Sequence, residues 1–175
     1  QGAKAMLAKA FEYHGRTIPE AMADVLFDRF LAYYGDHIAD ETEFFPNCLK
    51  ALDTLEGDGL DLAVCTNKHE GLARHLLDLL GEAGRFIAIV GGDTYAVKKP
   101  DPGHLTLLAE SLGYTASQCI MVGDSINDIA AARAAAIPSI AVTFGYSDRP
   151  IAELGADTII DDFEELPAAV GQLQG

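Results

Sequence analysis

The chain has 175 residues, 49% of them apolar and 22% charged, and its 12 Lys and Arg against 27 Asp and Glu give a formal net charge of −15. This is the composition of a folded globular chain, long enough for one full domain, and it excludes disorder. The charge excludes a general nucleic-acid binder, and no apolar run reaches the roughly 18 residues of a membrane span.

The first residues lack the apolar stretch of a secretory signal. Cys48, Cys65 and Cys119 are odd in number and widely spaced, which fits reduced thiols and a cytoplasmic setting better than a disulfide framework. No Cys or His cluster has zinc-ligand spacing.

Residues 1–43 carry helical patterning only. Residues 3–13 place Met6, Leu7, Ala10 and Phe11 on one face. After Pro19 a second helix repeats apolar residues every four positions, at Met22, Leu26, Phe30 and Tyr34, and Gly35 is expected to end it. From Glu43 the pattern changes. A short helix over residues 48–55 ends at the Gly57-Asp58-Gly59 turn. Apolar strand-like runs then alternate with amphipathic helices. The strands are expected at 60–65, 86–90, 119–122, 137–142 and 158–160, and the helices at 71–80, 103–112 and 126–136. This alternation predicts an α/β fold, a doubly wound, Rossmann-like parallel sheet with helices on both faces.

In such sheets ligands bind beyond the carboxyl ends of the strands. The first strand is followed by Thr66-Asn67-Lys68, a hydroxyl, an amide and an ammonium in succession. They suit an anion, or Thr66 and Asn67 cap the next helix. The second strand leads to Lys98-Lys99-Pro100, where two of only 12 basic residues invite an anionic partner or stand in a solvated loop. The third leads to Gly123-Asp124-Ser125-Ile126-Asn127-Asp128. Carboxylates four apart at a loop-to-helix junction suit Mg²⁺, which prefers hard oxygen ligands, or they form an ordinary helix cap. Taken together, the three strand ends offer one pocket for phosphate and Mg²⁺. The five histidines are scattered without metal spacing and read as surface or packing residues, His69 lying nearest the Thr66 loop. The acidic run Asp161-Asp162-Glu164-Glu165 reads as a solvated helix start. Gly145 and Tyr146 read as part of the site rim.

The segments VCTNK (64–68), KKPDP (98–102), VGDSINDIAAARAA (122–135) and VTFGY (142–146) resemble the haloacid dehalogenase-like superfamily, closest to its phosphoglycolate phosphatase-like members with a helical cap. The resemblance runs through residues 44–165. It implies phosphoryl binding by Thr66, with Asn67 beside it. It implies stabilisation of the phosphorylated intermediate by Lys99 rather than Lys98, a Mg²⁺ ligand in Asp124, and in Asp128 a residue that holds the site together or meets the metal through water. It implies a partial helical cap over residues 1–43 and an α/β core over 44–175.

The family's first motif, Asp-x-Asp-x-Thr/Val, occurs nowhere in these 175 residues. The resemblance therefore implies that the nucleophilic aspartate and the first core strand lie upstream of Gln1, that two strand edges face each other unpaired, and that the 175 residues alone are inactive. A second departure is Asn47 after Pro46, where the family commonly has Gly. The implied activity is Mg²⁺-dependent hydrolysis of a small phosphorylated metabolite such as 2-phosphoglycolate. A mutase or pyrophosphatase of the same superfamily, or a catalytically silent chain that only binds Mg²⁺ and phosphate, are the alternatives. A signalling receiver domain uses similar residues but has its acidic residues before the Thr and Lys-Pro, the reverse of the order here. Oligomeric state leaves no mark in the sequence.

Overall fold

The computed structural model describes residues 3–174; the side chains of residues 3–6 and 20 lie outside the description, and with them the facing of Met6. Seven α-helices and five β-strands are formed among the described residues. Helix α1 (Ala3–Tyr13) packs on α2 (Ala23–Asp36), which buries none of its described residues fully. Gly35 lies inside α2 rather than ending it, because the helix runs one residue further, to Asp36, and His37 caps it.

The chain then passes Asn47 into α3 (Cys48–Gly57). Asn47 has φ 59°, the left-handed region that glycine enters freely and Asn tolerates best among the other residues. The departure from Gly thus keeps the backbone geometry. The Asn47 amide adds a bond of its own, donating to Asp162 Oδ1 at 2.8 Å.

The remaining elements alternate as β1 (Leu62–Cys65), α4 (Glu70–Leu79), β2 (Phe86–Val90), α5 (Gly103–Ser111), β3 (Met121–Gly123), α6 (Ile126–Ala134), β4 (Ser139–Val142), β5 (Thr158–Ile160) and α7 (Leu166–Leu173). All strand pairs are parallel. β1 pairs with β2, with Cys65 opposite Val90. β3, β4 and β5 form a second sheet, with Val122 opposite Ile140 and Ile140 opposite Thr158. The two sheets are not hydrogen-bonded to each other. This does not conflict with the expectation of unpaired facing edges.

β4 is the centre of the larger sheet, and all four of its residues are buried. That explains why its sequence shows no polar alternation. Ile140, Val142 and Ile160 pack with Ala51 and Leu55 of α3 and with Leu166, Ala169 and Val170 of α7. On the other side Ala131 and Ala132 of α6 are fully buried against Leu105 and Ile137. The Ala-rich stretch is a close-packing surface, since a larger side chain would push α6 off the sheet. No described helix is long and apolar enough to cross a membrane, and the three cysteines are unpaired.

Candidate active site

Every strand of the parallel sheets delivers its carboxyl end to the same side. The loops after β1, β2, β3 and β4 therefore meet there. The most constrained residue is Lys99, only 6% exposed. Its Nζ lies 2.6 Å from Asp128 Oδ1 and donates to the Cys65 carbonyl at 2.5 Å. Its backbone is held on both sides: its N–H donates to His104 Nδ1 at 3.3 Å, and its C=O accepts from Asn67 Nδ2 at 2.8 Å. Lys98 is exposed. One ammonium is thus built into the interior and its sequence neighbour is left to solvent.

Asp128 is 7% exposed and both of its oxygens are committed. Oδ1 meets Lys99. Oδ2 accepts from the Ser125 N–H at 3.1 Å and from the Ser125 hydroxyl at 2.6 Å. Ser125 in turn caps α6, so the capping box and the ion pair share one carboxylate. The Gly123–Asp128 segment is therefore a helix cap whose Asp128 carboxylate also meets the Lys99 ammonium. Gly123 is needed here because a Cβ would overlap the Asp128 side chain.

Asp124 is half-buried, and its Oδ2 accepts from the Tyr146 N–H at 2.7 Å. Its other oxygen takes no hydrogen bond from the described residues. The loop after β4 touches it so closely that a Cβ on Gly145 would overlap the Asp124 Cβ and carboxylate. Tyr146 itself stands 88% exposed at the rim, beside Phe45.

Thr66 and Asn67 do not cap α4, which starts at Glu70 after His69. Thr66 is half-buried, its N–H donates to Val90 at 3.0 Å, and its hydroxyl accepts from the Lys68 N–H at 3.1 Å. Asn67 crosses to Lys99 instead. The loop is braced from below. Glu70 accepts from Arg74 and from the Thr94 hydroxyl, and Asp93 accepts from the Glu70 N–H and binds His69. These bonds hold both carboxyls below the usual range. The Cys65 thiol is pushed up to about 11 by burial, so it is not a nucleophile at neutral pH. Two surface depressions, of about 420 Å³ lined by Ala10, Phe11, His14 and Arg16 and about 290 Å³ lined by residues that include Arg133, Ser139 and Asp157, lie away from these residues.

The structure thus ties Asn67, Lys99 and Asp128 together directly, with Thr66 next to the Cys65 carbonyl that Lys99 binds. Asp124 is fixed to the β4 loop. The residue that sequence reading missed is His104. It is fully buried, with Nδ1 accepting from Lys99 and Nε2 donating to the Gly91 carbonyl at 3.0 Å. That pattern requires the neutral imidazole, and burial holds its pKa below the ordinary value. Its spacing in the sequence resembles that of any helix-facing histidine. Only the folding of the Lys99 loop over α5 makes it a clamp.

Replacing His104 with Leu is expected to cost about 2–4 kcal/mol, because the Lys99 N–H and the Gly91 C=O lose their partner inside the protein. Urea unfolding reads this loss. Below about pH 6.5 the unfolded histidine binds a proton that the folded one does not. Stability of the native protein therefore falls as pH drops through that window. His104→Leu removes this part of the pH dependence, and an unchanged slope counts against the neutral clamp.

An α/β sheet whose strand ends gather a buried ammonium, a threonine hydroxyl and an anchored aspartate is a framework for handling an anionic group. A family model described as haloacid dehalogenase-like hydrolase matches residues 4–142. The chain belongs to this family. The phosphoglycolate phosphatase of Agrobacterium fabrum is 48% identical over 170 residues, which span 97% of this chain and 73% of that relative. The phosphoglycolate phosphatase of Rhodospirillum rubrum is 42% identical over 170 residues, 95% of this chain and 70% of that relative. A crystal structure of a predicted phosphoglycolate phosphatase from Haemophilus somnus superimposes with a TM-score of 0.89 at 29% identity, covering 96% of this chain and 75% of that one. Both of these curated relatives are phosphatases.

Proposed function

We propose that this protein is a Mg²⁺-dependent phosphomonoesterase acting on a small phosphorylated carboxylic acid of the 2-phosphoglycolate type. The observation that carries the reading is the buried Lys99 ammonium. It is held by Asp128 and the Cys65 carbonyl at the strand end that also bears Thr66. In this reading Thr66 and Asn67 line the phosphoryl site, and the Lys99 ammonium meets the charge that develops on the transferring group. Asp128 keeps that ammonium in place. Because Lys99 is fixed before substrate arrives, little reorganisation accompanies the reaction.

The Asp124 carboxylate fits a hard cation: one oxygen is tied down by the Tyr146 N–H and the other is open to a ligand. The described residues contain no group of three His, Cys, Asp or Glu side chains able to hold a metal. Asp124 would therefore share Mg²⁺ with water, substrate and groups from outside these residues. When bound, the ion supplies positive charge to the phosphoryl oxygens.

The nucleophile in this reading is an aspartate outside these 175 residues, forming an aspartyl-phosphate that water then hydrolyses. The absence of an Asp-x-Asp-x-Thr/Val motif supports this, as do relatives longer than the chain and two sheets left unjoined. Residues 1–43 act as part of a helical cap over a core of residues 44–175. The contact of Tyr34 on α2 with Lys68 beside the phosphoryl loop supports that division.

The full-length protein is expected to release inorganic phosphate from 2-phosphoglycolate with Mg²⁺ and to lose this activity in EDTA. Failure to release phosphate from either 2-phosphoglycolate or p-nitrophenyl phosphate overturns the reading. Turnover by residues 1–175 alone at the rate of the full-length protein overturns the assignment of the nucleophile.

A further inference from the structure

Lys68 stands two residues beyond Thr66, and its main chain belongs to the same loop wall. Its N–H donates to the Thr66 hydroxyl at 3.1 Å, and its C=O accepts from the Gly92 N–H at 2.8 Å. The position of its Cα is therefore fixed. The side chain leaves this loop and reaches α2, where Nζ donates to the Tyr34 hydroxyl at 2.7 Å and lies 4.9 Å from the ring centroid. Tyr34 is in turn stacked on Phe30, one turn earlier, with ring centroids 5.9 Å apart. Both Lys68 and Tyr34 are half-buried.

The partner is what makes this lysine unusual. In a chain with 27 carboxylates, no carboxylate of the described residues pairs with Lys68. The two acids nearest in the loop network are occupied elsewhere: Glu70 holds Arg74 and Thr94, and Asp93 holds the Glu70 N–H and His69. Lys99, by contrast, has its charge matched by Asp128. A phenol orients an ammonium without neutralising it. A half-buried, oriented and unneutralised cation beside an anion-binding loop favours a second negative charge on the ligand.

We infer that Lys68, oriented by Tyr34, recognises the carboxylate of the substrate while the Thr66 and Lys99 groups take its phosphate. This rests on the phosphatase reading above and adds to it a residue that decides which phosphate esters are used. It also gives α2 a direct part in selection, since the orienting phenol belongs to residues 1–43.

The test compares 2-phosphoglycolate with ethyl phosphate, which has the same carbon count and no carboxylate, on the full-length protein. The ratio of kcat/KM for the two substrates is measured for the native protein, Lys68→Met and Tyr34→Phe. The ratio of their affinities is measured by calorimetry in EDTA. Lys68→Met is expected to lower both ratios by about 10- to 100-fold, the range for losing a charged hydrogen bond. Tyr34→Phe, which keeps the ring and removes the acceptor, is expected to lower them by about 3- to 10-fold. Ratios that stay within twofold in both variants overturn the inference, even when the native enzyme is active. If neither ester is turned over but Lys68→Met still removes the preference in binding, the phosphatase reading falls and the carboxylate site stands. Ethylene glycol bisphosphate serves as a third ligand. A larger effect of Lys68→Met on it than on 2-phosphoglycolate assigns Lys68 to a second phosphate and overturns the carboxylate assignment.

Discussion

Replacing Lys99 with Ala is expected to lower phosphomonoester turnover by about 10²-fold or more, through loss of a fixed positive charge at the transferring group. The same change removes the partner of a carboxylate that is only 7% exposed. Leaving Asp128 buried and unpaired costs about 3–5 kcal/mol, so a fall in activity alone does not separate catalysis from folding. The double variant Lys99→Ala with Asp128→Asn does. The amide still accepts from Ser125, the unpaired charge is gone, and the urea midpoint is expected to recover in part while kcat stays low. Steady-state kinetics and urea unfolding on the three proteins check this. Near-native turnover in Lys99→Ala would move the role to Lys68 or to the exposed Lys98.

The second large effect is expected at Asp124 and at the glycine pressed against it. Asp124→Asn removes the charge that suits the carboxylate to a hard cation, and Mg²⁺-dependent activity is expected to fall by about 10²-fold or more. Gly145→Ala removes no ionisable group. Its new Cβ nevertheless overlaps the Asp124 Cβ as well as the carboxylate, so the β4 loop and Asp124 must move apart, which disturbs the bond from the Tyr146 N–H. The Mg²⁺ concentration for half-maximal activity is expected to rise by about 10- to 100-fold, as for the loss of an orienting neighbour of a metal ligand. A titration of activity against Mg²⁺ reads both variants. Gly145→Ala with native Mg²⁺ dependence would show that the position of Asp124 does not set metal affinity. Overlap with backbone-adjacent atoms leaves little freedom for the substituted side chain to yield.

Much of the fold was legible because its signals are local. β2 and β5 fall where their short apolar runs stand, and α1 covers the expected residues 3–13. The other three strands start two residues later than their apolar runs. The read starts at 60, 119 and 137 lie ahead of the observed Leu62, Met121 and Ser139. Apolarity marks which residues are buried, but a strand begins where a neighbour supplies hydrogen bonds. Helix α7 went unread beyond its acidic start, because Leu166–Leu173 lacks charged residues to mark an outer face. The division of the strands into two sheets is likewise a matter of pairing.

The candidate residues of the site were legible as a set, since oxygen and nitrogen groups stand at successive strand ends. Their connections were not. Sequence left Thr66 and Asn67 open between a helix cap and an anion site. The backbone delays α4 until Glu70 and sends the Asn67 amide to Lys99. Lys98 and Lys99 differ by one position, and only the turn of the loop over α5 buries one and exposes the other. His104 and Gly145 carry no local signal, because one acts through a backbone 5 residues away and the other through an aspartate 21 residues earlier. The amino-acid sequence by itself determined the α/β alternation, the acidic surface and the chemistry available at each strand end, because periodicity, charge and residue type are properties of short stretches. Tertiary structure decided which of those groups meet, which lysine keeps an unneutralised charge and which glycine cannot change, because these depend on distances between residues far apart in the chain.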